Sequence, residues 1–293
     1  QKTDISDFVE KLKNVDYHEQ LGTIYDKQLR AQKIVEVMSN YLSLSEEEIT
    51  DLNRIASIYK FDLVSQIVDE FPTLQGTIGG IYAKEQNESE VVSKAISEQY
   101  LPLTQIDQLP ETKLGKIIAL IDKLDTLVQF FSIGLIPTGS NDPHALRRQA
   151  IGVVRLLLSL DQGKIELKSL LQDVVKASQL PDERQENLEE NIQALNAFIL
   201  DRLEQMMRSE YNISHDVRKA TFGAIHTNLS RMISVANVLE AKKEKENYKE
   251  VVESVTRVLN MVKTNGQTGT VQTELLETES EKALANAIEE LTD

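Results

Sequence analysis

The stretch TKLGKIIALIDKLDTLVQFFSIGLIPTGSNDPHALRRQAIGVVRLLLSL, residues 112–160, decides the fold class. Apolar residues recur three and four apart on both sides of a loop, which is the period of two α-helices. Pro110 opens the first helix, which runs to Phe131. Ile133 to Asn141 forms the loop, with Gly134, Pro137 and Gly139. Asp142 caps the second helix and Pro143 fits its first turn, where the missing N–H costs nothing. Gly163 ends it. Between Thr126 and Leu160 a single acid, Asp142, faces Arg147, Arg148 and Arg155, although the whole chain has a formal net charge of -15.

Helical geometry places residues three and four apart on one face. In the first helix that face is Leu114, Ile117, Ile118, Ile121, Leu124, Val128 and Phe131. Asp125 falls inside it and Asp122 at its edge. In the second helix the apolar face is Leu146, Ala150, Ile151, Val153, Val154, Leu157 and Leu158, and Arg147 falls inside it. Buried charges must be paired. Arg147 is therefore expected to pair with Asp125, or failing that with Asp62 or Asp122; deleting one partner should cost roughly 3–5 kcal/mol. Arg148 and Arg155 point the other way and are free for a partner.

Working outward, the pattern stays helical. A helix is expected over Asp7–Val15 and another over Thr23–Tyr41. Ser45-Glu46-Glu47-Glu48 is a capping box, so a helix starts there and runs to about Glu70, where Pro72 breaks it. Asn87 caps a helix over Glu88–Tyr100. Beyond the opening stretch, helices are expected over Glu166–Ser178, Asp182–Ser209, Ser214–Leu239, Asn247–Lys263 and Thr278–Leu291, the last with a second capping box at Thr278. Thr264–Thr273 is a polar loop. The acid-rich run from Asp182 to Glu190 reads as a solvated face. No period-2 run argues for a strand, and the fold class is all-α.

Composition bounds the function. The chain has 293 residues and no Cys, so thiolate chemistry and a disulfide framework are excluded. No apolar run approaches bilayer length. Gln1 to Glu10 lacks the pattern of a signal peptide, and the missing initiator Met suggests a piece of a longer chain. The acidity disfavours non-specific binding to polyanions, so a nucleic-acid partner needs local basic patches. A catalytic metal needs converging His or carboxylates. His18, His144, His215 and His226 stand in no ligand spacing. No Walker loop, dinucleotide fingerprint or nucleophile elbow is present. Two windows fit RNA, whose recognition uses basic groups on phosphates with aromatics and amides on exposed bases. The first combines Lys27, Arg30 and Lys33 with Arg148 and Arg155. The second, Tyr211 to Leu239, holds Arg218, Lys219 and Arg231 against Asp216, with Tyr211, His215, Phe222, His226 and Asn228.

Three segments carry a resemblance: FVEKLKNVDYHEQLGTIYDKQLR (8–30), EFPTLQGTIGGIYAKEQNESEVVSKAISEQYLP (70–102) and IDKLDTLVQFFSIGLIPTGSNDPHALRRQAIGVVR (121–155). Together they resemble the β subunit of bacterial tetrameric glycyl-tRNA synthetase, in its C-terminal part. The resemblance implies an HD-domain-like helical bundle over residues 1–163, a helical linker over 164–212, and over 213–293 the start of a helical anticodon-binding domain of the D-A-L-R type. HD hydrolases hold a metal with a His, a His-Asp doublet and a later Asp. Here the doublet aligns with Phe61-Asp62 and the later Asp with Asp122, so the resemblance implies a fold kept without its metal or its hydrolase chemistry. It further implies a cytoplasmic, non-catalytic, tRNA-binding part of an α2β2 ligase. The partners would be tRNA-Gly and the α subunit, with no membrane and no DNA. No cofactor would sit in this part, ATP and Mg being used by the α subunit. Lys27, Arg30, Arg148, Arg155, Arg218, Lys219 and Arg231 are the expected phosphate contacts. The alternatives are a divergent metal-dependent phosphohydrolase and a purely structural scaffold.

Overall fold

The computed structural model describes residues 3–139, 141–161, 163–223, 228–243, 245, 248–265, 276 and 278–290. Two compact units divide the chain, Gln1–Glu240 and Ala241–Asp293. The first begins with α1 (Ile5–Lys11) and a hairpin of β1 (Asp16–His18) and β2 (Gly22–Thr23), in which Asp16 faces Thr23 and His18 faces Gly22. This small hairpin has no period-2 signal, because two and three residues are too few to carry one.

Then follow α2 (Ile24–Leu42), α3 (Glu46–Ile58), α4 (Gln66–Glu70), α5 (Thr77–Glu85) and α6 (Glu90–Glu98). Capping boxes start two of them: Thr23 with Asp26 opens α2, and Ser45 with Glu48 opens α3. Each satisfies two N–H groups that the first helical turn leaves without partners. The helix expected to run from Ser45 to Glu70 stops at Ile58. A 3-10 turn over Phe61–Val64 intervenes, and Ser65 caps α4. Ser89, not Asn87, caps α6; Asn87 has a φ of 68° and belongs to the turn.

The centre is α7 (Lys113–Ser132), capped by Thr112. It touches α2, α3, α6 and three later helices: α8 (Leu146–Leu160), α9 (Leu167–Ser178) and α10 (Leu188–Ser209). Every residue from Ile117 to Ser132 is buried, so α7 has no solvent face. A helix in that position must bring its polar side chains into the core with it. The start of α8 lies three residues later than Pro143. Asp142 nevertheless supplies the cap from a distance: its Oδ1 accepts the N–H of Leu146 at 2.8 Å and its Oδ2 that of Arg147 at 3.0 Å.

The first unit takes in α11 (His215–Phe222) and, as far as Glu240, α12 (Leu229–Lys243), so the single helix expected over Ser214–Leu239 is two. One hydrophobic cluster runs from Ile5 to Ala236. The segment expected as a linker, 164–212, contributes Leu167, Leu170, Leu171, Val174, Leu195, Ile199 and Leu203 to that core, and the compact unit extends across both expected boundaries. The second unit contains α13 (Tyr248–Asn265) and α14 (Glu279–Glu290). Thr278 and Glu281 form the expected box, with Thr278 N–H donating to Glu281 Oε2 at 2.8 Å. All of this accords with the all-α class. Within the described residues, no helix is long and apolar enough to cross a membrane.

Candidate functional site

Three aspartates lie in the core around α7: Asp62, Asp122 and Asp125, at 0%, 7% and 0% exposure. Their partners come from other elements than expected. Lys27 of α2 is 3% exposed. Its Nζ donates to Asp125 Oδ2 at 3.1 Å, to the Asp122 carbonyl at 3.0 Å and to Thr126 Oγ1 at 2.8 Å, and lies 3.2 Å from Asp122 Oδ1. Arg30 closes a fork on the same Asp125, Nε to Oδ1 at 2.7 Å and Nη2 to Oδ2 at 3.1 Å. Lys60 reaches Asp122 Oδ1 at 3.1 Å, and the Tyr59 hydroxyl donates to the same oxygen at 3.1 Å.

The expected Arg147–Asp125 pair is therefore not formed. Arg147 sits in the first turn of α8, where its side chain turns back over the preceding loop. It donates to the Gly139 carbonyl at 2.8 Å and stands 4.0 Å from Asp142. Lys27 and Arg30 are likewise withdrawn from the surface set. Lys27 shares a helical face with Ala31, Ile34 and Met38, four, seven and eleven residues on, and all three are fully buried. That spacing was the signal that it points inward.

The electrostatics follow from burial against neighbouring charge. Burial pushes the Asp122 carboxyl up. The ammonium groups of Lys27, Lys60 and Lys123 overcome it and hold Asp122 below the usual carboxylate range. Burial lowers Lys60 to about 8, with Asp122 opposing and Lys27 adding to the fall. Burial also lowers Lys123 to about 8, again with Asp122 opposing, while Lys60 and Lys27 reinforce the shift. Burial raises Asp62, against the N–H of Gly76, which donates to its Oδ2 at 2.6 Å. Asp62 Oδ1 has no hydrogen-bond partner among the described residues.

These groups do not fit a divalent metal. Phe61 is fully buried, has no donor atom and packs beside Phe8, ring centroids 6.0 Å apart. Asp122 is already engaged by two ammonium groups and a phenol, and one oxygen of Asp62 is held by backbone. Among the described residues no three His, Cys, Asp or Glu side chains converge for a metal. The ammonium groups of Lys27 and Lys60 supply the positive charge beside Asp122.

Above this cluster opens a cavity of about 430 Å³, lined among others by Tyr17, Lys27, Lys60, Tyr100, Asp122, Lys123, Phe130, His144 and Arg148. Of the expected surface cations, Arg148 is exposed at this cavity, and no other described residue offers its guanidinium a hydrogen bond or ion pair. Arg155 is half-buried and its Nη1 donates to the Asp107 carbonyl at 2.8 Å, so it fastens a loop. Arg218 is 9% exposed; its Nη1 donates to the Ile213 carbonyl at 2.5 Å and its Nε lies 3.6 Å from Glu204. Asn228 is buried and donates to Asp161 and to the Ile165 carbonyl. Lys219 and Arg231 are exposed, with Tyr211 and His215 also at the surface. His226 lies outside the described residues. Lys60 and Lys123, which line the cavity, were absent from the expected set.

The family model for the glycyl-tRNA synthetase beta subunit matches residues 1–223. The glycine–tRNA ligase beta subunit of Limosilactobacillus reuteri (strain DSM 20016) is 37% identical over 296 residues, covering 99% of this chain and 42% of that protein. Those of Limosilactobacillus fermentum and Streptococcus mutans are each 38% identical, over 302 and 298 residues, with 43% and 42% of their lengths covered. The chain thus spans about two fifths of the length of the curated relatives it matches.

Proposed function

Starting from the fact that this chain belongs to the glycyl-tRNA synthetase β-subunit family, we propose that it is a non-catalytic, tRNA-binding part of a cytoplasmic glycine–tRNA ligase. On this reading the α subunit of an α2β2 assembly activates glycine with ATP and Mg, and this part holds tRNA-Gly. The first unit is an HD-like bundle that has exchanged metal for lysine, and residues from about 213 onward begin the anticodon-binding module.

The observation that carries the reading is the reversal of charge. In a chain of net charge -15, the cavity is lined by Lys60, Lys123 and the exposed Arg148 with Asp122 as its one lining carboxylate, and Lys219 and Arg231 stand exposed on α11 and α12. Clustered cations of this kind attract a polyanion that the remainder of the surface repels. Phosphate contacts release counterions, so affinity should fall steeply with salt. Filter binding of transcribed tRNA-Gly to the chain at several salt concentrations tests this. A linear fall of log affinity with log salt, together with protection of tRNA phosphates in a footprint, supports the reading. Absence of saturable binding would leave the scaffold role.

The phosphohydrolase alternative loses its support with Phe61 and the lysine-bound Asp122. It requires that added manganese raise the melting midpoint and that a chelator lower it. An unmoved midpoint is expected.

A further inference from the structure

The cavity above α7 contains more positive charge than its own carboxylate neutralises, and we infer that it binds the phosphate of a nucleotide-sized ligand. Counting donors leads there. An ammonium carries three N–H groups. Those of Lys27 are used, on Asp122, Asp125 and Thr126. Lys60 reaches Asp122 Oδ1, and otherwise lies over the Tyr100 ring, 3.9 Å from its centroid. Lys123 donates to the Tyr100 carbonyl at 3.1 Å, and no carboxylate of the described residues lies within 4 Å of it. Arg148 keeps its whole guanidinium free of described partners at the rim. The Tyr100 hydroxyl, on the same lining residue, is buried and without a partner among the described residues.

A buried cation with one neutral acceptor is costly unless an anion joins it. Lys60 and Lys123 are each 3% exposed, so bulk water does little of that work. A phosphate monoester carries between one and two negative charges near neutral pH and offers several acceptor oxygens, enough for two ammoniums and a bidentate guanidinium. A single carboxylate offers less charge and fewer acceptors. Tyr17, Ile24, Leu63 and Phe130 add ring and aliphatic surface beside the cations, as a base or ribose needs. The volume falls in the range of about 300–1,000 Å³ usual for small-ligand sites.

The same phosphate could belong to a free mononucleotide or to a nucleotide of a docked RNA strand; only the second source rests on the tRNA-binding reading. Titration calorimetry of the chain with adenosine 5′-monophosphate, with inorganic phosphate as competitor, tests the site. One saturable site with a Kd below about 1 mM is expected. Lys123→Met keeps the aliphatic stem that lies against Gly152, and should weaken binding about tenfold or more without lowering the melting midpoint. Arg148→Gln should weaken it in the same direction. Displacement of the nucleotide by tRNA-Gly assigns the phosphate to RNA; tRNA binding without displacement assigns it to a free ligand. No saturable binding of either small probe, or affinities unchanged in both variants, overturns the inference, and persistence of tRNA binding in that case leaves the proposed function standing.

Discussion

At the scale of single residues, the sequence placed the acids better than their partners. Asp125 falls on the apolar face of α7, and it is fully buried. The helix pattern shows that a charge must be neutralised but not which neighbouring helix supplies the counter-charge. Arg147 was nearest in sequence on an apolar face; Lys27, ninety-eight positions away, and Arg30 do the work. Asp125→Asn should therefore destabilise the first unit by about 3–5 kcal/mol in urea unfolding, because it removes the carboxylate on which Arg30 forks and one of the two that Lys27 holds. Arg147→Met, at a half-exposed residue with a 4.0 Å ion pair, should stay within about 0.5 kcal/mol. Equal costs for the two would contradict the pairing described.

The same cluster predicts a pH signature. Lys60 and Lys123 bind their protons only below about 8 when folded, and near the ordinary lysine value when unfolded. Between those values the unfolded chain binds more protons, so these two groups make stability rise with pH from about 8 upward, and flatten it below. Asp122 acts at the other end: its contribution is present above the ordinary aspartate range and is lost as pH falls through and below it. Comparing wild type with Lys123→Met across pH 8 to 10 should show a shallower alkaline rise in the variant. Parallel curves would remove Lys123 from the account.

At the scale of elements, starts were legible and interruptions were not. Capping boxes at Ser45 and Thr278 announced α3 and α14 because a few adjacent residues carry the whole signal. The break between α3 and α4 was hidden because Ile55, Ile58, Leu63 and Ile67 keep a near-helical rhythm across it. The chain turns there to seat Phe61 and Asp62 in the core, which is a tertiary demand. Gly79 and Gly80 permit the close approach of α5 to its neighbours. A Cβ at Gly80 would stand 2.8 Å from the Ser93 carbonyl and 2.8 Å from Ser97 Cβ, both on α6. Gly80→Ala should cost about 1–3 kcal/mol by overpacking the α5–α6 contact, seen as a lower melting midpoint. An unchanged midpoint would mean that the two helices separate easily.

At the scale of the whole molecule, the all-α class followed from periodicity, whereas the division of the chain did not. The linker over residues 164–212 is what the resemblance implies, and α9 and α10 contribute side chains to the same core as α7. Surface chemistry was legible in type only: seven basic residues were expected on phosphates, and burial withdraws Lys27 and Arg218, while Arg30 is forked on Asp125 and Arg155 is tied to a loop. Arg148, Lys219 and Arg231 remain exposed. The most direct test of the account is the affinity of the chain for tRNA-Gly, measured for wild type and for Arg148→Glu at one moderate salt concentration. The account predicts a loss of about tenfold or more from the reversal, with the melting midpoint preserved; an affinity equal to wild type would contradict it.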